Sequence, residues 1–194
     1  MERMNLRCFI AIGIPGLLQR EIGECIEILK KHDADIKWVR PENLHLTIKF
    51  LGNTPDVLLP KIHESLTKVV STYGPFYIKL YGTGLFPNKK YPRVIWAGVH
   101  DSGRMKPLQD GIEGSMSLLG FKKEDREFNP HLTLGRVRSQ RGMIMLVDEL
   151  DTFKEKEFGS VPVDRILLMK SDLTPKGPEY ACVHTIPFGS DVVS

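Results

Sequence analysis

The chain spells the pattern Asn-x-His-Leu-Thr-aliphatic twice, as NLHLTI at residues 43–48 and as NPHLTL at residues 129–134, 86 residues apart. Both copies alternate polar and apolar side chains, which indicates β-strands with one buried face. Repetition alone is suggestive evidence, since a second His-Leu-Thr arises by chance in roughly one such chain in thirty. The register of the surrounding chain is therefore the better test of an internal repeat.

Hydrophobic periodicity keeps the same 86-residue register outside the motifs. A shift of that length superposes four pairs of residues in elements of the same type: Ala11 and Ala97 in strands, Ile22 and Leu108 in helices, His45 and His131 in the motif strands, and Leu58 and Ile144 in helices. The pattern favours an ancient duplication. We therefore predict two lobes of similar build, each with one motif strand.

The order of strands and helices predicts an α+β fold. Strands are predicted at 7–13, 43–52, 76–82, 93–99 and 131–137, and VDRILLMKSDL and EYACVHTIPF predict a closing strand pair across TPKGP. Helices are predicted from Pro15 to about His32, over 58–70, over 105–119 and over 143–150. At 194 residues the chain is one domain or a bilobed one.

Charge and cysteine usage limit the class of protein. A formal net charge of +3 is compatible with a phosphate-bearing partner. Three scattered cysteines without Cys-x-x-Cys spacing predict reduced, mostly buried thiols in a cytosolic protein and no zinc site. The apolar run CFIAIGI is too short to span a membrane and predicts a buried strand.

The motif strands place two kinds of polar side chain on one face. Residues i and i+2 of a strand share a face, so His45 lies beside Thr47 and His131 beside Thr133. If the lobes pack about a pseudo-twofold axis, both pairs line one cleft. An imidazole titrates near pH ~6.5, so one histidine can act as base and the other as acid, as phosphoryl transfer requires. The threonine hydroxyls can donate hydrogen bonds to phosphate oxygens.

A structural role is the competing interpretation for any single histidine. One His-x-Thr on a strand is more often a solvated or satisfied pair than a site, and only the second copy favours function. The remaining histidines, His32, His63, His100 and His184, have weaker claims and are interpreted as solvated or structural. Neither motif offers a second metal ligand at the shared face, so we expect no metal.

The motif regions NLHLTIKFLG and FNPHLTLGRV closely resemble the two His-x-Thr-x motifs of the 2H phosphoesterase superfamily. Three further segments, LRCFIAI, GLFPNKKYPRVIWAGV and ILLMKSDLTPKGPEYACV, resemble the RNA 2′,3′-cyclic phosphodiesterase branch, which was first named for 2′-5′ RNA ligase activity. The resemblance covers almost the whole chain, and its two motifs are specific as a pair.

This resemblance implies a bilobed fold with two antiparallel sheets about a central cleft and helices packed outside. Residues 1–194 would form one bilobed catalytic domain, monomeric and cytoplasmic, that hydrolyses RNA or a nucleotide ending in a 2′,3′-cyclic phosphate to a 2′-phosphate. No cofactor or metal is implied. His45 takes the role of proton donor to the leaving 3′ oxygen, His131 that of proton acceptor from water, and Thr47 and Thr133 bind the phosphate.

Arg136 resembles the family's arginine near the phosphate. It lies five residues after His131, so strand alternation points it away from the cleft unless Gly135 introduces a bulge or ends the strand. Lys49, at the face position matching Gly135, either reaches a phosphate or is solvated. Phe9 and Phe50 are candidates for stacking on a base, although a core position is favoured for both.

Six basic residues flank loops near strand ends and either guide RNA or are simply solvated: Lys89, Lys90, Arg93, Lys122, Lys123 and Arg126. Two other functions remain open from the sequence. One is reversible 2′-5′ joining of tRNA halves on the same site. The other is a non-catalytic module that binds an RNA terminus, against which the intact histidines and threonines of both motifs argue.

Overall fold

A computed structural model describes residues 4–175 and 177–189. The strands and α-helices follow in this order: β1 (Asn5–Gly13), α1 (Gly16–Leu29), β2 (Ile36–Trp38), β3 (His45–Pro55), α2 (Leu59–Val70), β4 (Phe76–Phe86), β5 (Val94–His100), α3 (Met105–Leu118), β6 (His131–Val137), α4 (Met143–Thr152), β7 (Glu157–Val163), β8 (Arg165–Thr174) and β9 (Gly177–Pro187). The predicted α+β class is confirmed, and so is the closing strand pair, although Lys176 of its turn lies outside the described residues.

The strands form an antiparallel sheet whose order is mirrored about its middle. The order is β7-β4-β5-β6-β3-β1-β8-β9, with β2 paired to β6. The motif strands β3 and β6 are central, and each has the opening strand of its own repeat, β1 or β5, as its outer neighbour. We call β3, β1, β8 and β9 the first half-sheet, and β6, β5, β4 and β7 the second half-sheet.

One residue pair joins the two half-sheets. Leu46 of β3 lies opposite Leu132 of β6, and both side chains are fully buried. These two leucines occupy the same position in the 86-residue repeat, so the junction lies where a pseudo-twofold axis must pass. The pairing corrects our expectation of two sheets: they are joined into one through this contact, which hydrophobic alternation does not reveal.

The helices cover one face of the sheet and leave the motif face open. Helix α1 packs against α4 and β7, whereas α2 packs against α3 and β9. Each helix pair therefore combines one helix from each repeat. Their apolar faces join the strand residues Leu46, Ile48, Leu132 and Leu134 in one buried core. His45, Thr47, His131 and Thr133 alternate with those residues and so point to the opposite face.

Two strands were not predicted, and several element ends differ from the sequence prediction, such as that of β4, which continues past the expected end at 82 to Phe86. β2 is only three residues long, and β7 contains Gly159 and Pro162, which weaken a strand pattern. Proline is tolerated in β7 because that strand lies at the edge of the sheet. Helix α1 ends at Leu29, before the predicted end at His32. No helix among the described residues is long and apolar enough to cross a membrane.

We predict that Leu132→Ala lowers the free energy of unfolding by about 2–5 kcal/mol, because it opens a cavity at the junction of the half-sheets. Urea denaturation followed by circular dichroism measures the change. Leu118→Ala is the matched control, since Leu118 is 90% exposed on α3 and its loss should be near neutral. Equal denaturation midpoints for the two variants would contradict the importance of the junction.

Candidate active site

The two motif histidines are held in the same way by the backbone. Nδ1 of His45 lies 2.7 Å from the Asn43 carbonyl oxygen, and Nδ1 of His131 lies 2.8 Å from that of Asn129. A carbonyl oxygen only accepts hydrogen bonds, so Nδ1 of each ring must carry a hydrogen. In each imidazole Nε2 is therefore the nitrogen that can give or take a proton.

The asparagine of each motif braces the segment that supplies this carbonyl. The Asn43 amide donates to the carbonyl oxygen of Pro178 at 3.3 Å, in the hairpin of β8 and β9. The Asn129 amide donates to the carbonyl oxygen of Glu127 at 3.4 Å. The asparagine two residues before each histidine therefore has a structural role, because its side chain fixes the segment whose carbonyl oxygen orients the imidazole.

Each motif strand contains a bulge at the same place in the repeat. In β3, Thr47 pairs with Ala11 and Lys49 with Ile10, so Ile48 has no partner on β1. In β6, Thr133 pairs with Trp96 and Gly135 with Ile95, so Leu134 has no partner on β5. A bulge reverses the alternation of side chains beyond it.

The bulges return Phe50 and Arg136 to the face of the motif histidines. Both residues line the same cavity as His45, Thr47 and Thr133. The bulge that we considered at Gly135 is therefore confirmed, and the objection to Arg136 from strand alternation no longer applies. Because Phe50 and Arg136 are 86 residues apart, the repeat presents an aromatic ring on one strand and a cation on the other.

The buried position of the bulge is occupied by different residues in the two strands, Lys49 in β3 and Gly135 in β6. A Cβ atom on Gly135 would lie 2.8 Å from Cγ2 of Ile36 and 3.0 Å from Cε3 of Trp38, so there is no room for a side chain. Lys49 is buried, with its Nζ 2.7 Å from a carboxylate oxygen of Glu113. Both interpretations that we gave Lys49 are therefore wrong: it reaches neither a phosphate nor solvent.

Two cavities of similar size lie on the motif face, one over each half-sheet. The first, about 490 Å³, is lined by His45, Thr47, Thr133 and Arg136, together with Arg7, Lys37, Phe9, Phe50 and Tyr180. The second, also about 490 Å³, is lined by His131 with Tyr81, Phe86, Trp96, His100 and Lys154. The structure thus brings four of the predicted site residues together, whereas His131 faces the neighbouring cavity. Strand β6 borders both cavities, since His131 lines the second and Thr133, on the same face of the strand, lines the first.

Aromatic rings pack against both imidazoles. Phe9 lies 4.8 Å and Tyr180 5.1 Å from His45 between ring centroids. Phe86 lies 5.1 Å from His131, edge to face. Phe9 is 2% exposed and is buried in the wall of the first cavity. Phe50 is 58% exposed and presents an open ring, so the core position favoured for it from the sequence is wrong.

Burial and charge act on the titration of His45. Burial lowers its pKa, the Asn43 carbonyl opposes this, and the positive charge of Arg136 lowers it further. Burial raises the pKa of Tyr180, and the charges of Arg136 and Arg7 oppose that change. Arg136 is therefore close enough to the first cavity's ionisable groups to influence both.

The basic residues of the cavities are not those predicted from loops. Lys89 pairs with Asp151 at 2.6 Å and Lys122 with Asp125 at 2.8 Å, and none of the six loop candidates lines either cavity. Sequence reasoning missed Arg7, Lys37 and Tyr180. They lie on separate strands, and only the strand pairing brings them together.

Known proteins are similar to this chain in both sequence and fold. The model of the family described as LigT like Phosphoesterase matches residues 12–96 and 99–180, so that each matched segment contains one motif. The chain belongs to this family. The start of the second match falls within about one residue of the 86-residue shift of the first, which agrees with an internal repeat.

Relatives are similar over nearly their whole length. A protein of Methanocaldococcus jannaschii named RNA 2′,3′-cyclic phosphodiesterase is 40% identical over 178 residues, covering 92% of this chain and 98% of that protein. One of Methanothermobacter thermautotrophicus with the same name is 36% identical, covering 91% and 96%. The crystal structure of TT0787 of Thermus thermophilus superposes with a TM-score of 0.77 at 28% identity, covering 96% of this chain and 100% of that one.

We predict that Arg136→Met raises the pKa of His45, because it removes a positive charge that disfavours the imidazolium. Proton NMR titration of the His45 ring measures the shift. Arg138→Met is the matched control, since Arg138 is exposed, lies two residues further on and is not among the groups acting on His45. An unchanged His45 titration in Arg136→Met would show that the guanidinium does not lie beside the ring in solution.

Proposed function

We propose that this protein hydrolyses a 2′,3′-cyclic phosphate at the end of an RNA to a 2′-phosphate, without metal or cofactor. The observation that carries the proposal is the matched presentation of two imidazoles. His45 and His131 lie on pseudosymmetric strands. In each ring Nδ1 is hydrogen-bonded to a carbonyl oxygen, which leaves Nε2 to exchange a proton with the substrate. Relatives named RNA 2′,3′-cyclic phosphodiesterase support the substrate.

The reaction uses the two histidines at opposite ends of one displacement. Nε2 of His131 accepts a proton from water as the water oxygen bonds to phosphorus. The bond from phosphorus to the 3′ oxygen breaks in line with the attack, and Nε2–H of His45 donates a proton to that oxygen. The product keeps the phosphate on the 2′ oxygen. A proton is lost at one histidine and gained at the other, so the pair exchanges states in each turnover.

The threonines and Arg136 bind the non-bridging oxygens. Thr47 and Thr133 line the first cavity beside His45, and their hydroxyls can donate to the phosphate. Arg136 adds a full positive charge, which stabilises the additional charge of the transition state. Thr47→Ala or Thr133→Ala removes one donor and leaves the acid and base in place.

The lowered pKa of His45 opposes its proposed role as the acid, because the acid must be protonated before it can donate. Burial, with the charge of Arg136, holds the pKa of His45 below its usual range and so disfavours the protonated form in the free enzyme. A bound phosphate carries negative charge, which offsets the charge of Arg136 and gives Nε2–H an acceptor. Binding therefore raises the pKa of His45 and favours the protonated form that the reaction requires.

We expect His45→Ala and His131→Ala each to reduce turnover by about 10²–10⁴, because each removes a general acid or base. The double variant should lose much less than the product of the two factors, since the residues act as a unit. The assay follows a short RNA ending in a 2′,3′-cyclic phosphate and identifies the product by phosphorus NMR.

His63→Ala is the matched control, because its ring packs on His184 at 4.7 Å and lines neither cavity. Its activity should be unchanged. Parent activity in a folded His45→Ala variant, or a 3′-phosphate as the product, would contradict the proposal. A parent protein that binds the RNA without turnover would instead favour the non-catalytic module.

One observation favours 2′-5′ joining as a second candidate. The cavity beside His131 has about 490 Å³ and aromatic walls, whereas one water needs only ~30 Å³. A nucleoside with a free 5′-hydroxyl could take the place of water there and attack the same phosphorus. Addition of an RNA with a 5′-hydroxyl to the assay tests this, with a 2′-5′ linked product as the expected result.

The proposal extends to the organisation of the protein. Residues 1–194 act as one bilobed catalytic domain derived by duplication, which the mirrored strand order and the two family matches support. One chain supplies both histidines, which supports a monomeric enzyme. The free thiols of Cys8, Cys25 and Cys182 support a cytoplasmic location.

A further inference from the structure

Two cations lie directly opposite each other on neighbouring strands. Lys37 of β2 pairs in register with Arg136 of β6, and both side chains line the first cavity. Like charges that face each other across an antiparallel pair are destabilising. None of the ion pairs within residues 4–175 and 177–189 involves either residue. The arrangement is unfavourable by itself and becomes favourable when anionic groups bind beside both cations.

A smaller cavity continues from this pair away from the motif histidines. It has about 130 Å³ and shares Lys37, Arg136 and Tyr180 with the first cavity. Its own additions include Trp38 and Arg40. We call the surface formed by Lys37, Trp38, Arg40, Arg136 and Tyr180 the β2 groove.

We infer that the β2 groove binds the RNA strand immediately 5′ to the terminal cyclic phosphate, an inference that rests on the proposed function. His45 donates a proton to the 3′ oxygen of the terminal ribose and lies in the first cavity. The terminal nucleoside therefore lies on the side of the first half-sheet, and the strand attached to its 5′ oxygen leaves through the adjoining groove. Arg136 contacts the reacting phosphate, and Lys37 and Arg40 contact the next phosphodiesters.

The charge of the groove favours an oligonucleotide over a single nucleotide. A cyclic phosphodiester carries one negative charge, whereas Lys37, Arg40 and Arg136 supply three positive charges. Each additional phosphodiester of RNA adds one negative charge and so improves the balance. Trp38 and Tyr180 add aromatic surface, on which bases of a single strand stack without sequence preference.

The test compares two substrates that share the reacting group. One is adenosine 2′,3′-cyclic phosphate, and the other is a short RNA whose last nucleotide is the same cyclic phosphate. We expect Lys37→Met and Arg40→Met each to lower kcat/KM for the RNA by about five- to tenfold, with less than a twofold change for the mononucleotide. The dependence of RNA affinity on salt should weaken by about 0.7 in logarithmic slope for each phosphate that the variant no longer neutralises.

Lys89→Met is the matched control, because Lys89 pairs with Asp151 and lines none of the three cavities. It should leave both substrates unchanged. Thermal unfolding gives a second readout: Lys37→Met should raise Tm at low salt by relieving the repulsion with Arg136, and high salt should abolish the gain.

Either of two kinetic results would overturn the inference. If Lys37→Met and Arg40→Met affect both substrates equally, the groove serves only the reacting phosphate. If neither variant changes RNA turnover, the strand follows another path. Should the parent hydrolyse neither substrate, the proposed function fails. Fluorescence anisotropy with a short RNA ending in a 2′-phosphate then tests RNA binding by the β2 groove separately. Weaker binding by Lys37→Met supports it, and equal binding excludes it.

Discussion

The pairing of Leu46 with Leu132 brings the two motif strands side by side at the middle of the sheet, and the active site depends on it. Both leucines are buried beneath the helices, so the residues on either side of them must face the open surface. His45 and Thr47 flank one leucine, and His131 and Thr133 flank the other. A single apolar contact thereby places two pairs of identical polar side chains on one face, related by a pseudo-twofold axis.

The backbone keeps this symmetry, and the side chains break it. Both motif strands bulge at the same repeat position, yet Phe50 follows one bulge and Arg136 the other. Arg136 lies near His45 and lowers its pKa. Two histidines with the same backbone contacts therefore have different electrostatic surroundings. The two histidines are therefore electrostatically distinct, a distinction that the repeated motif could not supply by itself and that our proposed division into acid and base requires.

Local patterns predicted the features that depend on local chemistry. The alternation in NLHLTI and NPHLTL gave the motif strands and their exposed faces, and helical spacing gave the four helices. The features that failed depend on distant partners. Lys49 occupies a polar position in the alternation, but the bulge turns it inward, where Glu113 of α3 compensates its charge. β2 is three residues long and exists because it pairs with β6.

The most direct test of the two-histidine account is the pH dependence of kcat/KM for RNA ending in a 2′,3′-cyclic phosphate, with the chemical step shown to limit the rate. The account predicts a bell for the parent, whose limbs belong to the pair. Without its acid, His45→Ala should lose the fall at high pH and keep the rise at low pH. Without its base, His131→Ala should lose the rise and keep the fall. A full bell in either variant, or the loss of the opposite limb, would contradict the assignment of the two roles.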